Sequence, residues 1–247
     1  MIGLGTVWPR WAFATTVLAA SILLAGEAAS AYEVVKVASG GAVSGTVRFS
    51  GSVPAPKKLE VARDTEVCGT EPKTSEALLV SSAGGLRNVV VFLDGIEKGK
   101  AFSDAPIELD QRGCWFVPHV QLVRAGKAFT LVNSDKALHN FRTPRTEANR
   151  ALNKAQPKFK RRLRITIKNP DIIPVNCDIH EWMHAVIVVM GHPYYAVTDE
   201  NGAFTLSGVP PGRYTLTFWH EVLGRQTREV NVATGGEARV AVEFRSN

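Results

Sequence analysis

The fold is constrained most strongly by a series of short apolar runs separated by turn-forming residues. The runs are rich in Val, Ile, Phe, Tyr and Thr, and Gly, Pro, Asn or Asp lies between them, as around residues 88–93, 128–132, 185–190 and 214–218. Such residues favour strands, and this alternation of strands and turns is typical of β-sandwiches. We therefore predict an all-β chain, with a short helix expected only at residues 142–156.

Residues 1–31 have the composition of an export signal. Arg10 precedes an apolar run at 11–25, and the segment ends in the small residues Ala29-Ser-Ala31. This order is that of a secretory signal peptide, and the run is shorter than the roughly 20 residues that span a bilayer. We predict cleavage after Ala31 and a periplasmic or otherwise exported protein. The alternative is a retained signal that anchors the chain in a membrane.

The basic residues are unevenly distributed along the chain. The net charge is +6, and Lys and Arg are concentrated between residues 154 and 168. No nucleic-acid-binding motif accompanies them, and an exported protein seldom meets nucleic acid, so we exclude that partner. Two interpretations remain. The segment is either a solvated strand and loop or a docking surface for an acidic redox partner, because complementary charge accelerates encounter.

Four side chains supply the donor types of an electron-transfer copper site. Cys177, His180 and Met183 are separated by two residues each time, and His139 lies upstream. Two imidazoles and a thiolate with a weak axial thioether form the donor set of mononuclear electron-transfer copper. Taken singly, each residue could be an ordinary core or loop residue, and only the joint pattern indicates copper. His184, adjacent to Met183, is an alternative fourth donor.

The chain has three cysteines, Cys68, Cys114 and Cys177, an odd number for an exported protein. If Cys177 binds metal, Cys68 and Cys114 can pair in an oxidising compartment. By the loop-entropy model such a disulfide would stabilise the fold by about 3 to 4 kcal/mol. The alternative is that both are buried, unpaired thiols.

Residues 104–191 resemble the cupredoxins, the blue copper proteins. The motifs are His139-Asn-Phe and Cys177-Asp-Ile-His-Glu-Trp-Met183, whose short gap before Met is similar to that of amicyanin. The resemblance implies a Greek-key sandwich with one type 1 copper at its end, bound by His139, Cys177, His180 and Met183. It also implies that Asn140 braces the two ligand loops through a hydrogen bond.

Residues 197–216 are similar to the carboxypeptidase regulatory-like, transthyretin-like sandwich. Such modules open with a strand like residues 44–51, which lie far upstream. We therefore expect a split domain at residues 41–100 and 192–247, with the cupredoxin domain at 101–191 inserted into it. Two consecutive sandwiches are the alternative. The combination resembles bacterial exported proteins labelled methylamine utilisation proteins, a label that fixes no substrate.

The resemblance to cupredoxins implies a carrier of single electrons and not an enzyme. Electrons would cross at the edge of His180, with Trp182 and Pro174 as an apolar docking rim. No Ser-His-Asp set, phosphate loop or pair of carboxylates indicates hydrolysis. The competing function is a copper-binding or cell-envelope module whose second sandwich binds carbohydrate or protein.

The other histidines are interpreted as loop residues. They are His119, His192 and His220, and His184 could join them in a second site. A second copper site built from them stays an open alternative, and it would make a reductase or oxidase conceivable.

Overall fold

The computed structural model describes Met1, Gly3 and residues 32–246, so the predicted signal peptide and its cleavage point at Ala31 lie outside the described region. Within that region no helix is long and apolar enough to cross a membrane. The first elements are β1 Glu33–Val34, β2 Gly41–Ser50, β3 Lys58–Leu59, α1 Thr65–Cys68, β4 Lys73–Thr74, β5 Val90–Leu93 and β6 Lys98–Gly99. They are followed by β7 Glu108–Gln111, β8 Phe116–Val117, β9 Val120–Arg124, β10 Phe129–Asn133, β11 His139–Thr143, β12 Leu152–Gln156, β13 Arg162–Ile165 and β14 Asp171–Asn176. The last are β15 His184–Met190, β16 Tyr195–Val197, β17 Ala203–Val209, β18 Gly212–His220, β19 Gly224–Val232 and β20 Glu237–Arg245.

The prediction of an all-β chain is confirmed, but the expected helix at residues 142–156 is wrong. That segment is a hairpin, in which β11 pairs antiparallel with β12 from His139 opposite Gln156 to Thr143 opposite Leu152. Pro144 disfavours helical backbone at the preceding residue, and the hairpin satisfies the backbone groups across the sheet.

One pair of sheets is formed by strands of residues 108–190. A five-stranded sheet has the order β12-β11-β14-β15-β9, and a four-stranded sheet has the order β13-β10-β7-β8. Their facing side chains form one buried cluster that includes Leu109, Phe116, Leu131, Phe141 and Ile187. Of the ligands expected from the sequence, His139 begins β11, and Cys177, His180 and Met183 lie in the loop between β14 and β15 of the larger sheet.

A second pair of sheets is formed by strands from the two ends of the described region. One sheet has the order β16-β5-β18-β19 and the other the order β17-β2-β20. Their shared core includes Val47, Leu93, Leu216, Phe218 and Phe244. The precise domain boundaries expected at residues 100/101 and 191/192 stay a prediction.

Strand β15 is buried on both faces, which explains its uninterrupted apolar sequence. Successive side chains of a strand point to opposite faces. Ala185, Ile187 and Val189 accordingly lie in the first core. Val186, Val188 and Met190 form a third cluster with Val90 and Val120, and Trp219 of β18 packs against it. The two pairs of sheets therefore share an apolar contact.

The sequence did not predict where the segment around α1 lies in the fold. Leu59, Val61 and Val67 pack against the core of the first pair of sheets, and a disulfide joins Cys68 to Cys114. This segment therefore lies against the sheets that carry the candidate ligands, although it belongs in sequence to the other sandwich.

Candidate metal centre

The Cys177–Met183 loop is folded back on itself between β14 and β15. The Met183 N–H donates to the carbonyl of His180 over 2.8 Å, and the Cys177 N–H donates to the carbonyl of Met183 over 3.2 Å. These bonds close a tight loop at the end of the sheet, so its donors do not alternate as they would along a strand.

Three of the four predicted ligands converge. His139, the first residue of β11, has its Nδ1 2.9 Å from the Nδ1 of His180, and the Sγ of Cys177 lies 3.8 Å from that same His180 nitrogen. The ligand atoms of His139, Cys177 and His180 all lie within 4.8 Å of one another, and the three residues are buried. Both imidazoles thus direct the same ring atom, Nδ1, at one point beside the thiol.

The Nε2 atom of each imidazole is within hydrogen-bonding distance of a carboxylate oxygen. His139 Nε2 lies 2.9 Å from Asp135 Oδ2, and His180 Nε2 lies 2.8 Å from Asp64 Oδ2. An Nε2–H donated to a carboxylate leaves Nδ1 with its lone pair, which is the arrangement that orients imidazole for a metal. Sequence reasoning missed both carboxylates. Asp135 stands four residues before His139, but nothing in the sequence connects Asp64 to His180.

Asp135 and Asp64 are themselves held by the disulfide region. The N–H groups of Gly113 and Cys114 donate to the two Asp135 oxygens over 2.7 and 2.8 Å. Cys114 is bonded to Cys68, the last residue of α1, and Asp64 is the residue that precedes this helix. The disulfide therefore ties the segment that carries one carboxylate to the loop that fixes the other.

The electrostatics of the cluster favour a thiolate. Burial raises the pKa of Cys177, but hydrogen bonds from His139 and His180 and from the backbone of Asn140 and His180 outweigh it and lower that pKa to about 6. Burial likewise lowers the pKa of His139, but its bonds to Asp135 and Cys177 raise that pKa to about 8. The thiolate is the form that binds metal.

The fourth predicted ligand, Met183, is fully buried in the same apolar cluster as Cys177 and Trp182. Cys177 itself is the one free cysteine of the described chain. A soft thiolate, two imidazoles and a thioether are suitable ligands for copper. The two carboxylates bind the Nε2 atoms, so both Nδ1 atoms are available to coordinate the metal.

Asn140 connects the two ligand loops. Its Oδ1 accepts a 2.6 Å hydrogen bond from the Asp178 N–H, and its Nδ2 donates to Asp178 Oδ2 over 2.8 Å and to Asn153 Oδ1 over 2.9 Å. Because Asn140 follows His139 and Asp178 follows Cys177, these bonds fix the two ligand backbones relative to each other.

The expected exit for electrons at an exposed His180 edge is wrong for the described structure. His180 is fully buried, and the segment that carries Asp64 covers its Nε2. Trp182 is also buried, and its Nε1–H donates to the Cys114 carbonyl over 3.1 Å, whereas Pro174 is exposed. The segment from β3 to β4, called the cap below, is held over His180 by the Cys68–Cys114 disulfide. The ligand motif does not reveal this cap, so the burial of His180 was not expected.

The remaining histidines do not join the group formed by His139, Cys177 and His180. His119 and His184 both contact Glu221, outside this cluster. His192 accepts a hydrogen bond from the Tyr194 N–H over 3.2 Å. His220 accepts one from the Val222 N–H, also over 3.2 Å.

Comparisons with known proteins find one family model and several solved structures that are similar to parts of this chain. The family model of the carboxypeptidase regulatory-like domain matches residues 183–245. A copper-containing nitrite reductase from Thermus scotoductus SA-01 is 23% identical over 37% of this chain and 24% of its own, with a TM-score of 0.32. A Cu(I) form of an amicyanin variant is 18% identical over 40% of this chain and 98% of its own, also with a TM-score of 0.32. A purple cupredoxin from Nitrosopumilus maritimus is 16% identical over 35% and 100%, with a TM-score of 0.29.

No curated protein matches the chain. At these identities and TM-scores, the metal assignment depends on the side chains of this chain itself. Residues 183–245 are similar to the carboxypeptidase regulatory-like domain, and the side chains of His139, Cys177 and His180 form a group that could hold a metal ion.

Proposed function

We propose that this protein is an exported carrier of single electrons with one type 1 copper ion. The observation that carries the proposal is the convergence of His139 Nδ1, His180 Nδ1 and Cys177 Sγ in a buried site whose outer imidazole nitrogens are already bonded to carboxylates. Met183 would supply the weak axial contact. Copper, when bound, provides the Cu(I)/Cu(II) couple, which this donor set serves in both states.

The protein's own residues would keep the site rigid and dry. Asp135 and Asp64 hold the two rings, and Asn140 holds the two ligand loops together. His139, His180 and Met183 are fully buried, so water does not reach the donors. A site that is fixed in this way changes little when the charge on the metal changes.

Export is supported by the signal-like sequence of residues 1–31 and by cysteine usage. A disulfide between Cys68 and Cys114 beside a single free Cys177 suits an oxidising compartment such as the periplasm. The free thiol is then explained as a metal ligand.

The basic segment 154–168 is proposed as the surface that docks an acidic redox partner. Gln156 pairs with His139, so the turn after β12 lies at the end of the sheet that carries the ligands. Arg161 donates to the carbonyl of Asp135 over 3.2 Å, which places this segment against the His139 loop. Phe159 is 83% exposed between Lys158 and Lys160, an apolar contact with a charged rim.

Rapid-mixing kinetics test this function. The copper-loaded mature chain should exchange one electron reversibly with hexacyanoferrate, an anionic reagent, and the rate should fall as salt screens the basic segment. The double variant Lys158→Glu with Lys160→Glu should slow the exchange about tenfold or more at low salt. The matched control is Lys98→Glu with Arg213→Glu, which reverses two exposed charges on β6 and β18 and should keep the wild-type rate.

Two negative results of this experiment would be distinguishable. A chain that binds copper tightly but exchanges no electrons would favour the competing function, a copper-binding module of the cell envelope. Equal rates in the Lys158/Lys160 variant and in its control would remove the docking surface while leaving the copper proposal in place.

A further inference from the structure

A second group of metal-binding side chains lies on the other face of β15. His119 follows β8, His184 is the first residue of β15, and Glu221 follows β18 in the other sandwich. One ligand atom from each lies within 4.8 Å of the others. Because successive side chains of a strand point to opposite faces, His184 points away from the copper ligand Met183 that precedes it.

The carboxylate of Glu221 is shared between the two imidazoles. His184 Nε2 lies 3.1 Å from Glu221 Oε2, and His119 Nε2 is in close contact with Glu221 Oε1. The two ring centroids are 5.7 Å apart. Two imidazole nitrogens and one bidentate carboxylate therefore face a common point.

The outer ring nitrogens also face oxygen atoms. His184 Nδ1 lies 3.2 Å from Asn176 Oδ1. Asn176 Oδ1 can accept the Nδ1–H of His184, which leaves the Nε2 of that ring available to a metal ion. The buried Nδ1 of His119 has no hydrogen-bond partner among the described residues, and Glu76 Oε2 is 3.9 Å from it.

The group is built into the contact between the two sandwiches. The side chain of His119 is 4% exposed and that of Glu221 is 12% exposed, whereas His184, at 35%, leaves one side open to solvent. Burial raises the pKa of Glu221, but its hydrogen bonds to His119 and His184 lower that pKa to about 2. A carboxylate with two imidazoles and an open side is the donor set of a divalent transition-metal ion.

We propose that His119 Nε2, His184 Nε2 and the carboxylate of Glu221 bind one borderline divalent transition-metal ion, with Zn²⁺ as the probe. The open side near His184 leaves a coordination position for water or an anion. His119 and His184 belong to one sandwich and Glu221 to the other, so the ion would stabilise the contact between the two sandwiches. One of its ligands, His184, begins β15, the strand that directly follows the copper-binding loop.

Zinc binding to the full chain tests the proposal. Copper is loaded first, Zn²⁺ is titrated by calorimetry, and bound metal is counted after dialysis. We expect a single Zn²⁺ beyond the copper centre and a rise in melting temperature with free zinc. Glu221→Gln keeps the side-chain size and an acceptor oxygen, but the loss of charge should weaken zinc binding about 100-fold or more. Glu200→Gln, in an exposed turn, should bind like the wild type.

Two further variants separate loss of zinc from misfolding and from failure of the proposed copper function. His184→Gln, at a half-exposed position, should lose zinc as Glu221→Gln does, with an unchanged circular dichroism spectrum. Cys177→Ser disables the copper centre, and the Glu221-dependent zinc site should persist in it. The proposal is overturned if Glu221→Gln and Glu200→Gln bind zinc equally. It is also overturned if the wild type takes up no zinc beyond the copper centre, because the cluster would then be a hydrogen-bonded contact only.

Discussion

Asp64 illustrates how a single side chain far away in sequence fixes a ligand. It accepts a hydrogen bond from His180 Nε2, 116 positions along the chain, and thereby leaves Nδ1 for the metal. Cys177, His180 and Met183 could be predicted as ligands from their local spacing, and His139 could be predicted from its donor type and its His-Asn-Phe motif. Asp64 was not, because carboxylates that orient a ligand have no sequence spacing of their own.

Replacing Asp64 should weaken copper binding. Asp64→Asn keeps the size but removes the charge that holds the His180 ring, and the loss of such a partner typically costs 10- to 100-fold in metal affinity. Competition with a chelator measures the change. Asp104→Asn is the control, since the Asp104 side chain is 90% exposed and pairs with Lys127. Equal affinities in the two variants would show that Asp64 does not orient the ligand.

His192 should make stability depend on pH. Burial lowers its pKa below the ordinary 6.5, and the Leu93 carbonyl and Asp94 offset this only in part. The folded state therefore favours neutral imidazole, so this contribution is complete above about pH 6.5 and is lost as the pH falls below that value. The rings of Tyr32 and Tyr194 lie 6.3 Å from that of His192.

Urea unfolding at a series of pH values measures this contribution. His192→Asn can still accept the Tyr194 N–H but does not titrate, so the decline of its unfolding free energy between pH 6.5 and 5 should be shallower than in the wild type. Parallel slopes would assign the decline to other groups.

At the scale of elements, the strands were predictable and the cap was not. The apolar sequence of β15 indicates a buried strand. The turn before β17 contains Asn201 and Gly202, and the turn between β17 and β18 contains Pro210 and Pro211, so these turns could be predicted from their residue types. The helix expected at residues 142–156 failed because pairing between β11 and β12 outweighed local propensity. The segment from β3 to β4 contains few apolar residues, and its place is defined by its disulfide, by hydrogen bonds such as that of His180 to Asp64, and by its contacts with the first core.

Removing the disulfide should destabilise the fold through this segment. Cys68 and Cys114 are 46 positions apart, and closing a loop of that length is worth about 4 kcal/mol by the chain-entropy model. The double variant Cys68→Ala with Cys114→Ala should lose about that much unfolding free energy in urea. The wild type treated with reductant is the control and should approach the double variant. A loss below about 1 kcal/mol would contradict the assigned role.

At the scale of the whole molecule, the contact between the two sandwiches should make them unfold together. Met190 is 5% exposed within the apolar cluster that joins β15 to β5 and β18. Met190→Ala should lower the unfolding free energy by about 2–5 kcal/mol, because a cavity forms in that contact. Val222→Ala, at a residue 54% exposed, should change it by less than about 0.5 kcal/mol.

Calorimetry separates cooperative from independent unfolding. The wild type should show a single transition with equal calorimetric and van't Hoff enthalpies. Two transitions in the wild type, or equal effects of Met190→Ala and Val222→Ala, would indicate that the sandwiches are stabilised independently.

The central claim is that Cys177 binds copper as a thiolate between two imidazoles. Combined absorption and paramagnetic-resonance spectra of the Cu(II)-loaded mature chain test it most directly. The wild type should show an intense visible thiolate-to-copper charge-transfer band, and Cys177→Ser should lose it. A wild-type chain that binds Cu(II) without this band, with a spectrum like that of Cys177→Ser, would contradict the claim.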